Sequence, residues 1–188
     1  SSAGNHAQGV ALSAKRLGCR AVIVMPATTP EVKVRAVRAL DGDVVLHGET
    51  YDESSAEAER RCREAGLTYI HPFDDPEVIA GQGTIGLEIM RQCDQPPRAI
   101  YLAVGGGGLI SGVASYVKSL WPDVELIGVE PEDAAAMTRS LEAGERIELN
   151  QVGLFADGVA VRKVGVEKWN KNNVGNIFVS YLFNMKGS

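Results

Sequence analysis

Residues 104–112, VGGGGLISG, set four consecutive glycines between an apolar, β-branched run and an apolar run of helical period. Glycine tolerates positive φ and close backbone approach, and a helix N-terminus presents unpaired N–H groups. Gly105, Gly106, Gly107 and Gly108 can therefore converge their amides on an anion. The chemistry implied is a phosphate cup. The plain alternative is a tight strand-to-helix turn packed through glycine, for which one or two glycines would suffice. A dinucleotide fingerprint fails here, because Gly105 and Gly107 would need a third glycine at Ile110, and Gly106 and Gly108 would need one at Ser111. Glu130, at the end of the next expected strand, still stands where a ribose-binding acid is expected, so a nucleotide reading stays open. The P-loop is excluded, since no Lys followed by Ser or Thr comes after the glycines.

The second cluster is the opening SSAGNHAQG. Its bland role is helix capping, with Ser2 or Asn5 satisfying the orphan N–H groups of a helix from Ala7 onward. One polar residue is enough for that, and His6 and Gln8 are left over. Exposed amides at a helix N-terminus suit a carboxylate, and the Asn5 amide can donate to an oxygen on a planar ligand. An anion site in each half of the chain, each at the C-terminal end of a strand, suggests a phosphorylated cofactor meeting an amino acid between two lobes.

These clusters need elements to hold them, and the chain supplies an alternation of two periods. Ala7, Val10, Ala11, Ala14 and Leu17 recur at helical spacing and Gly18 stops them, after which AVIVM (21–25) reads as a buried strand. Thr29 and Pro30 are expected to open a helix carrying Val34, Val37 and Leu40. DVVLHG gives a strand, and YDESSAEAERRCREAG a helix with Ala58, Cys62 and Ala65 inward. LTYIHPF reads as a third strand. One helix between each pair of strands is the sequence form of βαβ units and a parallel sheet. From Asp75 the rhythm lengthens: an Asp cap with Pro76 opens a helix with Ile85 and Ile89 on one face. AIYLAV follows as a buried strand, then a helix with Ile110, Val113, Val117 and Leu120 inward, then the strand VELIGV. The spacing shift near Pro72–Asp75 divides the chain into an expected first lobe over 1–73 and a second over 74–166. A divergent, Asn-rich and aromatic tail over 167–188 is expected to fall outside the fold, or to supply a short helix and an edge strand.

Composition narrows the partners. With 188 residues and a formal net charge of −5, and with its Lys and Arg scattered, the chain offers no basic stripe for nucleic acid or an anionic membrane. Cys19, Cys62 and Cys93 are few, odd in number and far apart, which argues against a disulfide framework and a zinc site and for an intracellular, reducing compartment. No apolar run approaches the ~20 residues of a membrane helix.

SSAGNHAQG, VIAGQGT, VGGGGLISG, GVEPEDA and VGLFADGVAV, in this order and spacing, resemble pyridoxal-phosphate enzymes of fold type II, and within them the biosynthetic threonine dehydratase branch, from Ser1 to about Gly165. The resemblance implies an α/β fold of three-layer, parallel-sheet lobes, as in tryptophan synthase β, here truncated at both ends. It implies pyridoxal 5′-phosphate as cofactor, with the amides of Gly105, Gly106, Gly107, Gly108 and Leu109 on its phosphate and Asn5 on its phenolic oxygen. Ser2, Ala3, Gly4, Asn5 and His6 would then receive the substrate carboxylate. The reaction implied is β-elimination of L-threonine and hydrolysis of the resulting enamine to 2-oxobutanoate and ammonia, the first step of isoleucine biosynthesis, with L-serine as a further amino-acid substrate. No metal is implied: Ala3 stands where related racemases carry a second base, and Ala136 where they carry an acidic metal ligand. The family's Schiff-base lysine lies upstream of the asparagine turn, and none of Lys15, Lys33, Lys118 and Lys163 has its context. The chain is thus expected to be an internal fragment, with no catalytic residue of its own and no activity alone, of a homo-oligomeric parent; a plant-like resemblance implies a plastid. The remaining alternatives are a serine dehydratase or other fold type II enzyme, and a non-catalytic phosphate- or nucleotide-binding module.

Overall fold

A computed structural model describes residues 1–153, 156–166 and 177–181, the last as backbone only. The chain divides into two compact units, Ser1–Pro72 and Phe73–Ser188.

The first unit is built on one βαβ turn. Helix α1 (Asn5–Leu17) ends at Gly18, whose φ of 66° lets its N–H turn back onto the Lys15 carbonyl. Strand β1 (Val22–Met25) then pairs in parallel with β2 (Asp43–Leu46), with Val22 opposite Asp43 and Met25 opposite Leu46. Helix α2 (Glu31–Arg38) makes the crossover between them. Its N-cap is Pro30, with no side-chain cap, so Thr29 does not play the capping role expected of it. Ala7 and Ala11 of α1, Ile23 and Met25 of β1, and Val34 and Val37 of α2 form the core. Helix α3 (Tyr51–Ala65) opens with a full capping box: the Glu53 N–H donates to Thr50 Oγ1 at 3.3 Å, and the Thr50 N–H donates to Glu53 Oε2 at 3.1 Å. Its buried face is Ser54, Glu57 and Ala58 rather than Ala58, Cys62 and Ala65, and Ala65 is exposed. Glu57 lies on that face because Arg60 and Arg61 of the next turn both donate to its carboxylate.

The strand expected at LTYIHPF does not form. Residues 67–70 take no regular secondary structure: the only ladder of this unit among the described residues joins β1 to β2, and a segment becomes a strand only where a neighbour offers its hydrogen bonds. Its groups bond elsewhere: the Tyr69 hydroxyl lies 3.3 Å from Ser55 Oγ, and the Ile70 carbonyl meets His6.

The second unit repeats the βαβ logic around a larger core. Helix α4 (Pro76–Gln92) starts as expected, with Asp75 Oδ1 accepting the N–H groups of Glu77 at 2.8 Å and Val78 at 3.2 Å. Its packing face, however, is Gly83 and Gly86, and Ile85 is exposed. A Cβ on Gly83 would lie 3.2 Å from the Gly112 carbonyl, and one on Gly86 3.1 Å from Val117, so α4 rests backbone to backbone on helix α5 (Gly108–Leu120). Strand β3 (Ala99–Ala103) runs into α5 through the glycine loop, and α5 leads to β4 (Glu125–Glu130). β3, β4 and β5 (Ile177–Tyr181) lie side by side, all parallel, with β4 in the centre. The expected edge strand of the tail is thus present, while the rest of 167–188 lies outside the described residues.

AIYLAV is buried on one face only. Ile100 and Leu102 pack with Ile110, Val113, Val117 and Leu126, whereas Tyr101, pointing the other way, is 61% exposed. Leu120, in the last turn of α5, is exposed as well. Helix α6 (Ala136–Ala143) closes the core with Ala136 and Met137.

Candidate functional site

The glycine loop joins β3 to α5, and each of its glycines answers a distinct demand. Gly105 abuts Val159, whose Cα would lie 3.1 Å from an added Cβ. A Cβ on Gly106 would overlap the ring of Phe73, and one on Gly108 would meet the Phe73 carbonyl oxygen at 2.9 Å. Gly107 is the only one of the four with positive φ, 93°, and it is the N-cap of α5. Packing therefore accounts for three of the glycines and backbone conformation for the fourth, so four in a row do not by themselves distinguish a cup from a crowded turn. The amides do. Gly106, Gly107 and Gly108 are buried, yet no N–H of Gly105–Leu109 reaches an acceptor among the described residues. Leaving a buried donor unsatisfied costs about 1–3 kcal/mol. These donors stand at the start of a 13-residue helix, where the positive end of the helix dipole favours an anion.

Around the loop, neighbouring segments are tied down. The Gly165 N–H donates to the Gly106 carbonyl at 3.0 Å, and the Val104 N–H donates to Val129 of β4 at 2.9 Å. Arg146 donates twice to the Val164 carbonyl, and the Leu149 N–H donates to Arg162, so residues 146–149 hold 162–164 in place. Nothing in the sequence reading pointed to Phe73, Val159 or Gly165 as neighbours of the loop, because those contacts join segments dozens of residues apart.

Glu130 has a different task from the one a nucleotide site would give it. It is 1% exposed, and its carboxylate accepts the N–H groups of Met137 and Thr138, each at 2.9 Å, and the Thr138 hydroxyl at 2.7 Å. Burial pushes this carboxyl above its ordinary value, and the three donors work against that shift. Glu130 thus tethers the start of α6, where Ala136 is also buried, and its oxygens are spent within the fold.

The asparagine turn lies in the first unit and is described by itself. The N-cap of α1 is Gly4, without a side-chain cap. Ser2 turns back on the chain instead: its hydroxyl accepts the Gly4 N–H at 3.2 Å, while the Ser2 N–H donates to the Val24 carbonyl of β1 at 3.2 Å. Neither Ser2 nor Asn5 is therefore consumed in capping α1, and Asn5 is exposed at its first position. His6 Nε2 lies 3.1 Å from the Ile70 carbonyl, which can only accept, so Nε2 carries a proton. Burial holds the His6 pKa below its ordinary 6.5, against the pull of that hydrogen bond, and the neutral ring keeps Nδ1 as an acceptor. Ser2, Ala3 and Gly4 lead from a bond to β1 into Asn5 and His6, the first residues of α1; Gly105–Leu109 lie in the other unit.

The family described as pyridoxal-phosphate dependent enzyme matches residues 1–177. The chain belongs to this family. It is 64% identical over 167 residues to a biosynthetic, chloroplastic threonine dehydratase of Arabidopsis thaliana, covering 89% of this chain and 28% of that protein. It is 59% identical over 169 residues to a biosynthetic L-threonine dehydratase of Burkholderia multivorans, covering 88% of this chain and 33% of that one. Among solved structures, the processed form of threonine deaminase isoform 2 from Solanum lycopersicum superposes with a TM-score of 0.89 at 52% identity, over 96% of this chain and 50% of the other. The α/β architecture with parallel sheets, expected from the sequence, is that of fold type II relatives. The chain spans about 28% of the length of the plant threonine dehydratases it matches.

Proposed function

We propose that this chain carries the phosphate cradle and the asparagine turn of a pyridoxal 5′-phosphate dependent threonine dehydratase, which eliminates water from L-threonine to an enamine that water then hydrolyses to 2-oxobutanoate and ammonia. The observation that carries the reading is the run of buried amides at Gly106–Gly108 that meet no acceptor among the described residues. The donor set fits a phosphate monoester, and a Cβ at Gly105, Gly106 or Gly108 would crowd the segments that shape it. The amides of Gly105–Leu109 would hold the phosphate. Asn5 would donate its side-chain amide to the phenolic oxygen of the cofactor ring. The turn of Ser2, Ala3, Gly4, Asn5 and His6 would take the substrate carboxylate, where α1 adds the positive end of its dipole. Bound there, pyridoxal phosphate supplies an electron sink for charge developing at the substrate α-carbon.

Identity of 51–64% to proteins named biosynthetic threonine dehydratase supports threonine over serine as substrate, and isoleucine synthesis as the setting. The names of the Arabidopsis and tomato relatives support a plastid. Lys15 pairs with Asp41, Lys118 donates to the Pro122 carbonyl and Lys163 pairs with Glu148, so these three amines are engaged within the fold. The nucleotide alternative loses its best residue, since Glu130 is spent on α6.

Titration with pyridoxal phosphate, followed by cofactor fluorescence, tests the reading. Saturable binding is expected, weakened about tenfold or more by Gly106→Ala, which crowds the cradle, and by Asn5→Ala, an exposed position whose loss leaves the fold intact. Tight NAD binding without pyridoxal phosphate binding would overturn it. Borohydride labelling of a lysine of this chain would overturn the expectation that it carries no Schiff-base lysine.

A further inference from the structure

Three consecutive residues, Phe73, Asp74 and Asp75, reach the glycine loop, the segment bonded to it and the helix packed behind it. The Phe73 ring occupies the space a Cβ of Gly106 would need, and its backbone occupies that of Gly108, with Cα 3.0 Å from the added atom. Asp74 reaches the far side. The Val166 N–H donates to its Oδ2 at 2.8 Å, and its Oδ1 would lie 2.5 Å from a Cβ on Gly165. Gly165 in turn donates its N–H to the Gly106 carbonyl. Asp75 caps α4, the helix that packs through Gly83 and Gly86 on α5.

A run of four glycines left to itself samples many conformations, and ordering it when an anion binds would consume about 1–2 kcal/mol per residue. Here the cost is met within the fold. The ring fixes Gly106 from one side, the Asp74–Val166 and Gly165–Gly106 bonds fix it from the other, and the α4 contact fixes the axis of the helix behind it.

We propose that Phe73 and Asp74 are positioning residues for the phosphate loop: they hold the Gly105–Leu109 amides in the arrangement that receives a phosphate before one arrives. The cofactor side of this statement rests on the function proposed above, while the ordering of the loop does not. The ring acts by shape, and Asp74 acts as a hydrogen-bond acceptor rather than as a charge.

Amide hydrogen exchange on the full chain without cofactor, together with pyridoxal phosphate titration, tests the proposal. Phe73→Ala and Asp74→Ala are expected to speed exchange at the Gly105–Leu109 amides about tenfold or more, with β1 and β2 amides unchanged, and to weaken cofactor binding by a similar factor. Asp74→Asn keeps an oxygen for the Val166 N–H and should restore both. Should Phe73→Ala unfold the chain, Phe73→Leu keeps the apolar volume without the flat ring and should show the same local loosening. Loop amides exchanging at the wild-type rate in folded Phe73 and Asp74 variants would overturn the proposal, as would an Asp74→Asn variant no better than Asp74→Ala. Faster loop exchange in the variants of a chain that binds no pyridoxal phosphate would uphold the positioning role and sink the cofactor reading alone.

Discussion

His6 shows how one contact decides what a polar residue can do. Its Nε2 proton is committed to the Ile70 carbonyl, and burial disfavours the charged ring, with the nearby His71 and the N-terminal amine adding repulsion. The folded protein therefore prefers neutral His6 more than the unfolded chain does. The unfolded chain binds the extra proton below its ordinary pKa of 6.5, so stability is intact above that pH and falls as the pH drops toward the lower pKa of the folded state. Urea unfolding at a series of pH values between 8 and 5 should show the midpoint dropping on the acid side. His6→Gln offers the same carbonyl an N–H that does not titrate, and should flatten that part of the curve. Equal slopes for the two proteins would mean that His6 titrates alike in both states. Glu130 gives the opposite lesson about position and role: an acid at the end of a β-strand matches a ribose-binding pattern, but what it binds here is the start of the next helix.

Helices and strands were legible in the sequence to the extent that their signals are local. The Asp75–Pro76 start, the Gly18 stop and the parallel runs at 22–25 and 43–46 follow from capping chemistry and β-branched composition, which neighbours in the chain supply by themselves. The missing strand at LTYIHPF and the true faces of α3 and α4 were not legible, because each depends on what comes to lie opposite. For α4 the error at Ile85 is instructive: Ile89 does pack against the core, but Ile85 is exposed, and where the helix must approach another within backbone contact it presents glycine. The same limit applies to the site, where the glycines and Asn5 stand out in the text while Phe73 does not. Gly112 is the tightest point of the α4–α5 contact; a Cβ there would overlap the Ile79 carbonyl and lie 2.8 Å from Gln82 Cβ. Its φ is ordinary and helical, so alanine would gain about 1 kcal/mol of helix propensity in open space. Overpacking of this kind typically costs about 1–3 kcal/mol, and the blocking atom is main chain, which cannot swing aside. Gly112→Ala should therefore lower the urea midpoint. Gly81→Ala, at an α4 position where an added Cβ meets nothing within 4 Å, should hold or raise it.

At the scale of the whole chain, the puzzle is that a protein with a formal net charge of −5 is read as a binder of a phosphate dianion. The answer lies in where the attraction originates. None of Gly105–Leu109 carries a charge, and the donors are backbone amides at a helix start, buried enough that mobile ions screen them little. Attraction of this kind is local to one unit. Each unit has a core of its own, Ile23, Met25, Val34 and Val37 in one and Val104, Ile110, Val113 and Leu126 in the other, so a ligand that touches only one should stabilise only that one. Inorganic phosphate is such a ligand, since it lacks the ring that Asn5 would meet. Ligand at a hundred times its dissociation constant adds about 2.7 kcal/mol to the state that binds it. Hydrogen exchange on the full chain in saturating phosphate should therefore slow at 104–111 and in the α5 and β4 amides, and stay unchanged in β1, β2 and α1. Protection spread evenly over both units would mean that they unfold as one, and protection confined to the first unit would place the anion at the asparagine turn instead.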